Sequence, residues 1–320
     1  MKAILINDGT MSWEETAIPN CKDHEILIKV KATAVNRADL AQKIGLYPPP
    51  PGASQILGLE CSGVIEKIGK KVKKRKIGEE VTALLAGGGY AEYVCCPEIQ
   101  ALPVPKNISL TECAAIPEVF ATCWLNLFME GNLKKGEKVL FHAGASGIGT
   151  AGIQLCREFD CTTYVTAGNK EKVDFCLDLG CEEGFVRLDS SFPSFEKYCP
   201  DGLDIILDPV GGNYFNENLK NLSIDGRLII IGILGGTDAK LNIGHILMKR
   251  QKIIGSTIRA RSIEIKGQVM SQLYKNVWPL FEEKKIKPII YKSMNITDVD
   301  LAHEIMSDNK NIGKIILEIC

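Results

Sequence analysis

The sequence lacks long apolar runs and an excess of charge of one sign. Its longest strongly apolar stretch, 228–234, is interrupted by Gly232, whereas a membrane helix needs about 20 apolar residues. There are 38 Lys and Arg against 39 Asp and Glu, a net charge of −1, so nothing attracts the chain to nucleic acid or to a membrane surface. The basic run 70–76 lies between two predicted strands, and we interpret it as a solvated turn rather than a nucleic-acid patch.

Clustered metal ligands are also missing. The twelve cysteines are scattered without a CxxC pair, and the four histidines, at positions 24, 142, 245 and 303, are dispersed. Structural zinc sites need such clusters, so we predict no metal site and reduced, mostly buried thiols. The first residues carry acids instead of the basic-then-apolar pattern of a signal peptide. A cytoplasmic location is therefore predicted.

What is present is the composition of an ordinary globular protein, with 45% hydrophobic and 24% charged residues over 320 positions. This length suits about two domains of ~100–200 residues each. Residues 1–110 are typical of β-structure, because short aliphatic runs such as 3–6, 26–32 and 63–68 alternate with Gly, Pro and charged turns. The first half is therefore predicted to be β-rich.

From residue 111 the pattern changes to alternating strands and helices. Ser109 and Glu112 form a capping box. Nearly continuous apolar runs then predict strands buried on both faces of a parallel sheet, at 139–142, 162–166, 205–208, 228–231 and 253–257. Helices are predicted between them, at 149–158 and 170–179. This spacing predicts a doubly wound α/β domain.

The tail 260–320 returns to mixed structure and is too short to form an independent domain. It has helical patterns at 263–283 and 299–307 and a final strand pattern at 313–319. We predict that it completes the N-terminal β-rich unit.

One motif carries chemistry. Residues 139–149 (VLFHAGASGIG) read as a strand, a Gly-rich turn and the start of a helix. Gly144 and Gly149 fit the first and third glycines of the dinucleotide fingerprint, and Ser146 occupies the second place beside Gly147. The turn predicts dinucleotide binding with the phosphates at the helix N-terminus. The alternative is a tight turn that binds nothing.

The end of the second strand indicates which dinucleotide binds. Enzymes that use NAD place an acid there for the ribose hydroxyls, but this sequence has 166–169 (TAGN). Lys170 and Lys172 follow, and Arg187 comes one strand later. A missing acid and nearby cations favour the 2′-phosphate of NADPH, unless the lysines merely form a solvated helix face.

The whole chain resembles the medium-chain dehydrogenase/reductase superfamily, and within it the zinc-less quinone oxidoreductases, particularly their tumour-suppressor-inducible branch. The segments that carry the resemblance are 35–40 (VNRADL), 47–54 (YPPPPGAS), 56–63 (ILGLECSG), 115–118 (AIPE), 207–212 (LDPVGG) and 309–314 (NKNIGK). The resemblance implies a GroES-like catalytic domain formed by 1–118 and 260–320, and a Rossmann domain at 119–259.

The resemblance also implies that catalysis needs no metal. The zinc alcohol dehydrogenases have a Cys ligand where Asn36 stands, a His where Leu59 stands and a second Cys near Glu118. The structural-zinc loop with four cysteines is absent as well. No Lewis acid is expected, which suits a quinone, because a quinone is already electrophilic.

By resemblance, the substrate cleft is lined by Asn36, Asp39 and Tyr47, with Tyr47 stacking on the quinone or donating its hydroxyl. Thr122 lies by the nicotinamide or ribose, and Ser146, Gly147, Ile148 and Gly149 hold the pyrophosphate. Gly168 and Lys172 meet the 2′-phosphate, where Arg187 replaces a Tyr that is frequent in relatives. The remaining expected cofactor contacts are Gly232, Leu234, Thr257, Ile258, Arg259 and, from the C-terminal segment, Asn311.

The leading hypothesis is an NADPH-dependent quinone reductase that transfers hydride without a metal. A second hypothesis is reduction of an activated double bond in enones or alkenals, since the same superfamily hosts both reactions. A third is a non-catalytic NADPH-binding scaffold. The resemblance also implies a homodimer built through the Rossmann domains.

Overall fold

The computed structural model describes residues 1–7, 9–187 and 195–319. The strands are β1 Lys2–Asn7, β2 Thr10–Glu15, β3 Glu25–Ala34, β4 Glu60–Ile68, β5 Glu80–Leu84, β6 Tyr93–Pro97, β7 Ala101–Pro103, β8 Lys138–His142, β9 Thr162–Ala167, β10 Glu183–Val186, β11 Leu203–Asp208, β12 Leu222–Ile230, β13 Lys252–Gly255, β14 Ile290–Asn295 and β15 Lys314–Glu318.

The α-helices are α1 Arg37–Lys43, α2 Leu110–Cys113, α3 Pro117–Cys123, α4 Gly147–Glu158, α5 Lys170–Leu179, α6 Phe215–Asn221, α7 Ile243–Lys249, α8 Ile263–Asn276, α9 Trp278–Glu282 and α10 Val299–Ser307. A π-helical segment covers Trp124–Glu130, and single 3₁₀ turns cover Glu98–Gln100, Gly212–Tyr214 and Ile296–Asp298. The chain divides into two compact units. Unit 1 comprises Met1–Ala121 and Ile258–Cys320, and unit 2 comprises Thr122–Thr257.

Unit 2 is built on a six-stranded sheet in the order β10-β9-β8-β11-β12-β13. All neighbouring strands are parallel. This is the strand order of the doubly wound dinucleotide fold, so the predicted fold class is confirmed. The order reverses at β8, and ligands of such sheets bind at the carboxyl ends of the strands beside that reversal.

The apolar runs predicted the central strands correctly, because the side chains of these strands are buried on both faces of the sheet. Val139, Leu140 and Phe141 of β8 are at most 1% exposed. The edge strand β10 was not predicted, since its side chains are only partly buried and give no continuous apolar run. Helix α5 begins and ends at the predicted residues, and it stops at Gly180, whose φ is +112°.

Unit 1 is built on a seven-stranded sheet, in which β14-β15-β3-β4-β5-β7 follow one another and β6 also pairs with β3. The C-terminal strand β15 pairs antiparallel with β3, so that Ile316 lies opposite Ala34. Through this pairing, the C-terminal strand joins the sheet of the N-terminal strands. Which unit receives the substrate, and where the functional domains begin and end, remain predictions.

Two helices of unit 1 differ from the sequence prediction. Helix α1 was not predicted, because it has only seven residues. The helix predicted over 263–283 is divided into α8 and α9 at Val277. Pro279 explains this division, since proline has no amide hydrogen to donate to the preceding turn.

Within the described residues, no helix is long and apolar enough to cross a membrane. The cysteines in the described part of the chain are free, and only Cys21, Cys95 and Cys161 are not fully buried. The expectation of unpaired, mostly buried thiols is therefore confirmed for them.

Candidate functional site

The turn between β8 and α4 in unit 2 is tightly packed. Ser146 caps α4, with its Oγ accepting a hydrogen bond from the Gly149 amide at 3.1 Å. A Cβ on Gly144 would lie 2.4 Å from Cβ of Val165, and one on Gly149 would lie 2.2 Å from the Gly144 carbonyl oxygen. Neither position has room for a side chain, as the first and third glycines of the dinucleotide fingerprint require.

The other predicted pyrophosphate residues lie at the same helix end. Gly147 and Ile148 are the first two residues of α4, where free amide groups and the helix dipole attract anions. The sequence analysis missed Gly152, one turn further on, where a Cβ would lie 2.3 Å from the Phe141 ring. Thr122 is buried, and its carbonyl oxygen accepts a hydrogen bond from the Asn126 side chain at 2.8 Å.

The position of Gly168, directly after β9, has open space around it. A Cβ added to Gly168 would meet no atom within 4 Å. The Arg187 amide donates to the Ala167 carbonyl at 2.7 Å, which holds this exposed residue beside Gly168. The Lys172 amide donates to Oδ1 of Asn169, the residue that caps α5, at 2.9 Å, and Lys172 is only 9% exposed. The structure therefore brings Gly168, Lys172 and Arg187 to one edge of the sheet.

A buried polar network crosses the ends of β9, β8 and β11. His142 bonds through Nδ1 to Oγ1 of Thr166 at 2.9 Å and through Nε2 to Oδ1 of Asn218 at 2.8 Å. Asn218 donates in turn to Asp208 at 2.9 Å. Burial lowers the pKa of His142 to about 4 and raises that of Asp208 to about 6. Sequence reasoning missed this network, because its members are far apart in the chain.

Three further predicted cofactor residues of unit 2 follow the last two strands. Gly232 comes shortly after β12, where a Cβ would lie 2.7 Å from the Pro209 carbonyl oxygen. Leu234 is 61% exposed, and Thr257, which follows β13, is also exposed. They lie beyond the carboxyl ends of parallel strands, the edge at which such sheets bind ligands.

In unit 1, the predicted substrate residue Asn36 is locked in a buried cluster. Its Oδ1 accepts a hydrogen bond from the Lys314 ammonium at 2.5 Å, and its Nδ2 donates to Glu60 at 2.9 Å and to the Ala34 carbonyl at 3.2 Å. Lys314 also donates to the Val35 carbonyl at 2.9 Å and pairs with Glu60 at 2.7 Å. Lys314 and Glu60 are almost completely buried, so the amide orientation is fixed by an internal ion pair. Lys314 lies in the segment 309–314 that resembles the family, but the resemblance implies no role for it.

Asp39 is fully buried rather than open to a cleft. Its carboxylate accepts hydrogen bonds from the backbone amides of Asn36 at 2.8 Å and Gly58 at 2.9 Å. The Tyr90 hydroxyl lies 3.3 Å from Asp39 and 3.2 Å from Nε2 of His303. Burial raises the pKa of Asp39 to about 6 and lowers that of His303 to about 4. The contacts of Asp39 hold the Asn36 segment in place.

Tyr47 lies in the proline loop after α1, and its side chain is partly buried. Burial raises the pKa of its phenol. The guanidinium of Arg259 lies 5.2 Å from the centre of its ring, within cation–π range. The two other predicted cofactor residues of unit 1 are also buried. These are Ile258 and Asn311, whose Nδ2 donates to the Gly313 carbonyl at 2.7 Å.

The residues at the expected zinc positions do not fit a metal ion. The side-chain amide of Asn36 is already hydrogen-bonded to Lys314, Glu60 and Ala34. Leu59 is apolar and 3% exposed. The backbone amide of Glu118 donates to the Glu60 carboxylate at 2.9 Å. Throughout the described ranges, no three His, Cys, Asp or Glu side chains are grouped as a metal site. That the reaction proceeds without a metal remains a prediction.

Comparisons with known proteins agree with this division of the chain. Residues 22–106 match the alcohol dehydrogenase GroES-like domain, and residues 147–276 match the zinc-binding dehydrogenase family. The chain is 30% identical over 307 residues to the quinone oxidoreductase of Homo sapiens, which covers 95% of this chain and 92% of that protein.

Two other relatives are longer than this chain. The chain is 29% identical to the synaptic vesicle membrane protein VAT-1 homolog of Danio rerio, covering 93% of the chain but 65% of that protein. It is 30% identical to the highly-reducing polyketide synthase 1 of Aureobasidium melanogenum, covering 92% of the chain and 13% of the synthase. The chain thus spans less than two thirds of these two relatives.

Solved structures show the same fold. A human VAT-1 homolog-like protein superposes with a TM-score of 0.85 at 27% identity, covering 100% of this chain and 98% of that one. An NAD-dependent alcohol dehydrogenase superposes with a TM-score of 0.84 at 26% identity, covering all of both chains. The chain therefore belongs to the medium-chain dehydrogenase/reductase superfamily and is related to the quinone oxidoreductases.

Proposed function

We propose that this protein reduces a quinone with hydride from NADPH, without a metal. The observation that carries the proposal is the end of β9, where the position of Gly168 has open space around it and the backbone amides of Lys172 and Arg187 are held nearby through Asn169 and Ala167. A phosphate fits such a space, because charge-assisted hydrogen bonds from cations are the strong ones. The quinone oxidoreductase relative, 30% identical along almost the whole chain, supports the substrate class.

The residues of unit 2 fit a dinucleotide. Ser146 and the amides of Gly147 and Ile148 would hold the pyrophosphate, which the absence of a side chain at Gly149 lets approach, and Lys172 and Arg187 would hold the 2′-phosphate. Thr122, Gly232, Leu234 and Thr257 are proposed to lie along the ribose and nicotinamide. When bound, the nicotinamide supplies the hydride.

The proposed role of unit 1 is to hold the quinone. Tyr47 would stack on the quinone ring or donate its hydroxyl to an oxygen, while Asn36 and Asp39 fix the wall behind it. Because a quinone is electrophilic without a Lewis acid, orientation is the main task of these side chains. Exhaustive chelation should then leave activity unchanged, whereas a stoichiometric zinc content of the active protein would contradict this part of the proposal.

The test is consumption of NADPH and NADH against a panel of ortho- and para-quinones and a panel of alkenals. Lys172→Ala should weaken NADPH binding by about tenfold or more and leave NADH nearly unchanged, because a phosphate contact is worth ~1.5–3 kcal/mol. Arg187→Ala is the paired variant. Lys135→Ala is the control, because Lys135 precedes β8, pairs with Asp160 and has no proposed role toward the cofactor. Equal losses for both cofactors would place the phosphate elsewhere. NADPH binding without turnover on either panel would instead support a non-catalytic scaffold.

The second candidate function is reduction of an activated double bond. A highly-reducing polyketide synthase among the relatives favours it. Both reactions deliver hydride to an electron-poor acceptor, so the same wild-type measurement separates them. Turnover on alkenals that exceeds turnover on every quinone would select the second function.

We also propose a homodimer formed through unit 2. Helix α7 exposes Ile243, Leu247 and Met248 at 69% or more of their surface, and β13 is an edge strand. Exposed apolar patches and free strand edges are both typical of contact surfaces. Light scattering should give twice the mass of the chain, and Leu247→Glu should reduce it to one chain. A monomeric wild-type protein would contradict the proposal. The cytoplasmic location stays a separate prediction.

A further inference from the structure

Arg259 is expected at the nicotinamide end, yet its guanidinium is committed to other residues of unit 1. It is only 3% exposed. Nε donates to the Ala86 carbonyl at 2.9 Å, Nη1 to the Tyr47 carbonyl at 3.2 Å and Nη2 to Oε1 of Gln42 at 2.6 Å. All three nitrogens are therefore used in fixing neighbouring segments.

Gln42 extends these contacts to the far end of the proline loop. It lies in α1, is 8% exposed, and its Nε2 donates to the Gln55 carbonyl at 2.8 Å. A continuous hydrogen-bonded chain thus runs from Arg259 through Gln42 to Gln55, and we call it the Arg259 brace. It contacts the loop 44–55 near both of its ends. One end of the loop is held at Tyr47 and the other at Gln55.

The loop needs such a brace because its own backbone supplies few donors. Positions 48–51 are four consecutive prolines, and proline has no amide hydrogen. Gly45 and Gly52, on either side, adopt φ values of +77° and +82°, which few other residues adopt without strain. Buried side-chain donors must therefore provide what a hydrogen-bonded ladder provides elsewhere.

Arginine suits this position better than lysine would. Its planar guanidinium presents donors in fixed directions and stacks on an aromatic face, whereas an ammonium is a point charge on a flexible stem. The contact with the Tyr47 ring adds a cation–π interaction that depends on the ring position. One side chain thereby fixes both the backbone and the ring of Tyr47.

We propose that Arg259 is a positioning residue that sets the Tyr47 ring for the quinone through the Arg259 brace. This inference rests on the proposed function for its role toward substrate, but the brace itself does not. Under this proposal Arg259 is not a cofactor contact. Loss of the Arg259 guanidinium should therefore impair the quinone site and spare NADPH binding.

The experiment compares Arg259→Lys with Arg75→Lys in the full-length protein. Arg75 is a matched control, since its guanidinium also donates to a backbone carbonyl of unit 1, that of Ala101, at 2.7 Å. Arg259→Lys should raise the KM for quinone by about tenfold, and the dissociation constant for NADPH should stay unchanged. Arg75→Lys should lower the melting temperature without changing either constant.

Two further measurements distinguish positioning from a general structural role. Hydrogen exchange at residues 44–47 and 52–55 should accelerate in Arg259→Lys and in Gln42→Leu, but not in Arg75→Lys. In addition, Arg259→Lys should have little further effect on KM in a Tyr47→Ala background. Additive effects in that double variant, or unchanged exchange in the loop, would overturn the proposal. A wild-type protein that reduces no quinone would instead refute the proposed function, and the exchange measurement would still decide whether the brace exists.

Discussion

The two units build their candidate sites from different materials. In unit 2 the site consists of backbone amides and of places where a Cβ has no room, as at Gly144 and Gly149. In unit 1 it consists of buried side chains saturated with partners, as at Asn36 and Asp39. A site of the first kind is open to a ligand from the start. A site of the second kind uses its polar atoms to hold itself in shape.

The units nevertheless share one device. Each contains a buried Asp joined through one intermediate side chain to a buried His. In unit 1 Tyr90 joins Asp39 to His303, and in unit 2 Asn218 joins Asp208 to His142. In both pairs burial raises the pKa of the acid and lowers that of the imidazole, so each pair is held uncharged more readily than in water.

The largest expected effect tests the dependence of unit 1 on its internal ion pair. Lys314→Met leaves Glu60 buried without its partner, which should cost about 3–5 kcal/mol of unfolding free energy. Adding Glu60→Gln should recover much of the loss. Lys43→Met, which breaks an exposed pair with Asp300, is the control and should cost about 0–1 kcal/mol. Equal losses in urea unfolding for the two lysine variants would mean that unit 1 does not depend on its buried ion pair more than on an exposed one.

The pH dependence of stability tests the shared device. The pKa of Asp208 is about 6 in the folded state, against an ordinary value of 3.8. As pH falls, the folded state therefore binds this proton before the unfolded state does. The resulting contribution to the free energy of unfolding is lost as pH rises towards 6. His142 has a folded pKa of about 4 against 6.5, so its contribution is lost as pH falls towards 4. Between pH 4 and 6, the contributions of Asp208 and His142 to the free energy of unfolding therefore change with pH in opposite directions.

Single substitutions should expose each contribution. The stability deficit of Asp208→Asn relative to wild type should widen by up to about 3 kcal/mol as pH falls from 6 to 4. The deficit of His142→Asn should narrow over the same range. Thermal unfolding at several pH values measures both. Parallel pH profiles for all three proteins would mean that neither group is shifted.

A smaller effect is expected from closing the glycine turn of unit 2. Gly149→Ala forces its Cβ against the Gly144 carbonyl and should cost about 1–3 kcal/mol, together with a loss of NADPH affinity. Gly168→Ala is the matched control, because no atom lies within 4 Å of the added Cβ, and its melting temperature should stay near wild type. Calorimetry of NADPH binding completes the test. A stable Gly149→Ala variant with normal affinity would remove the turn from the cofactor site.

The smallest effect is expected from the Tyr47 hydroxyl. Tyr47→Phe removes one donor and should lower quinone turnover by up to about tenfold, since a hydrogen bond contributes about 0.5–1.5 kcal/mol. NADPH affinity and the melting temperature should not change. Steady-state kinetics with one quinone suffices, and an unchanged rate would leave Tyr47 with a stacking role only.

Sequence reasoning succeeded for the central strands and the glycine turn of unit 2, because these features are local. Apolar runs mark the strands, and the spacing from Gly144 to Gly149 marks the turn. It was weaker in unit 1, where Asn36 could be named by resemblance, but its partners Glu60 and Lys314 are 24 and 278 positions away. Long-range side-chain partners leave no periodic signal in a single sequence. The Arg259 brace was missed for the same reason, since Arg259 lies 217 positions from Gln42.

The burial of the thiols has a consequence for a protein that is proposed to handle quinones. Thiolates are nucleophiles that add to quinones, and a thiol reacts in proportion to its ionised fraction. Burial raises the pKa of Cys95, Cys113, Cys176 and Cys181 to about 12, so these thiols are almost entirely protonated at neutral pH. These four thiols can thus escape arylation among electrophiles while the chain is folded, and that protection would end where unfolding begins.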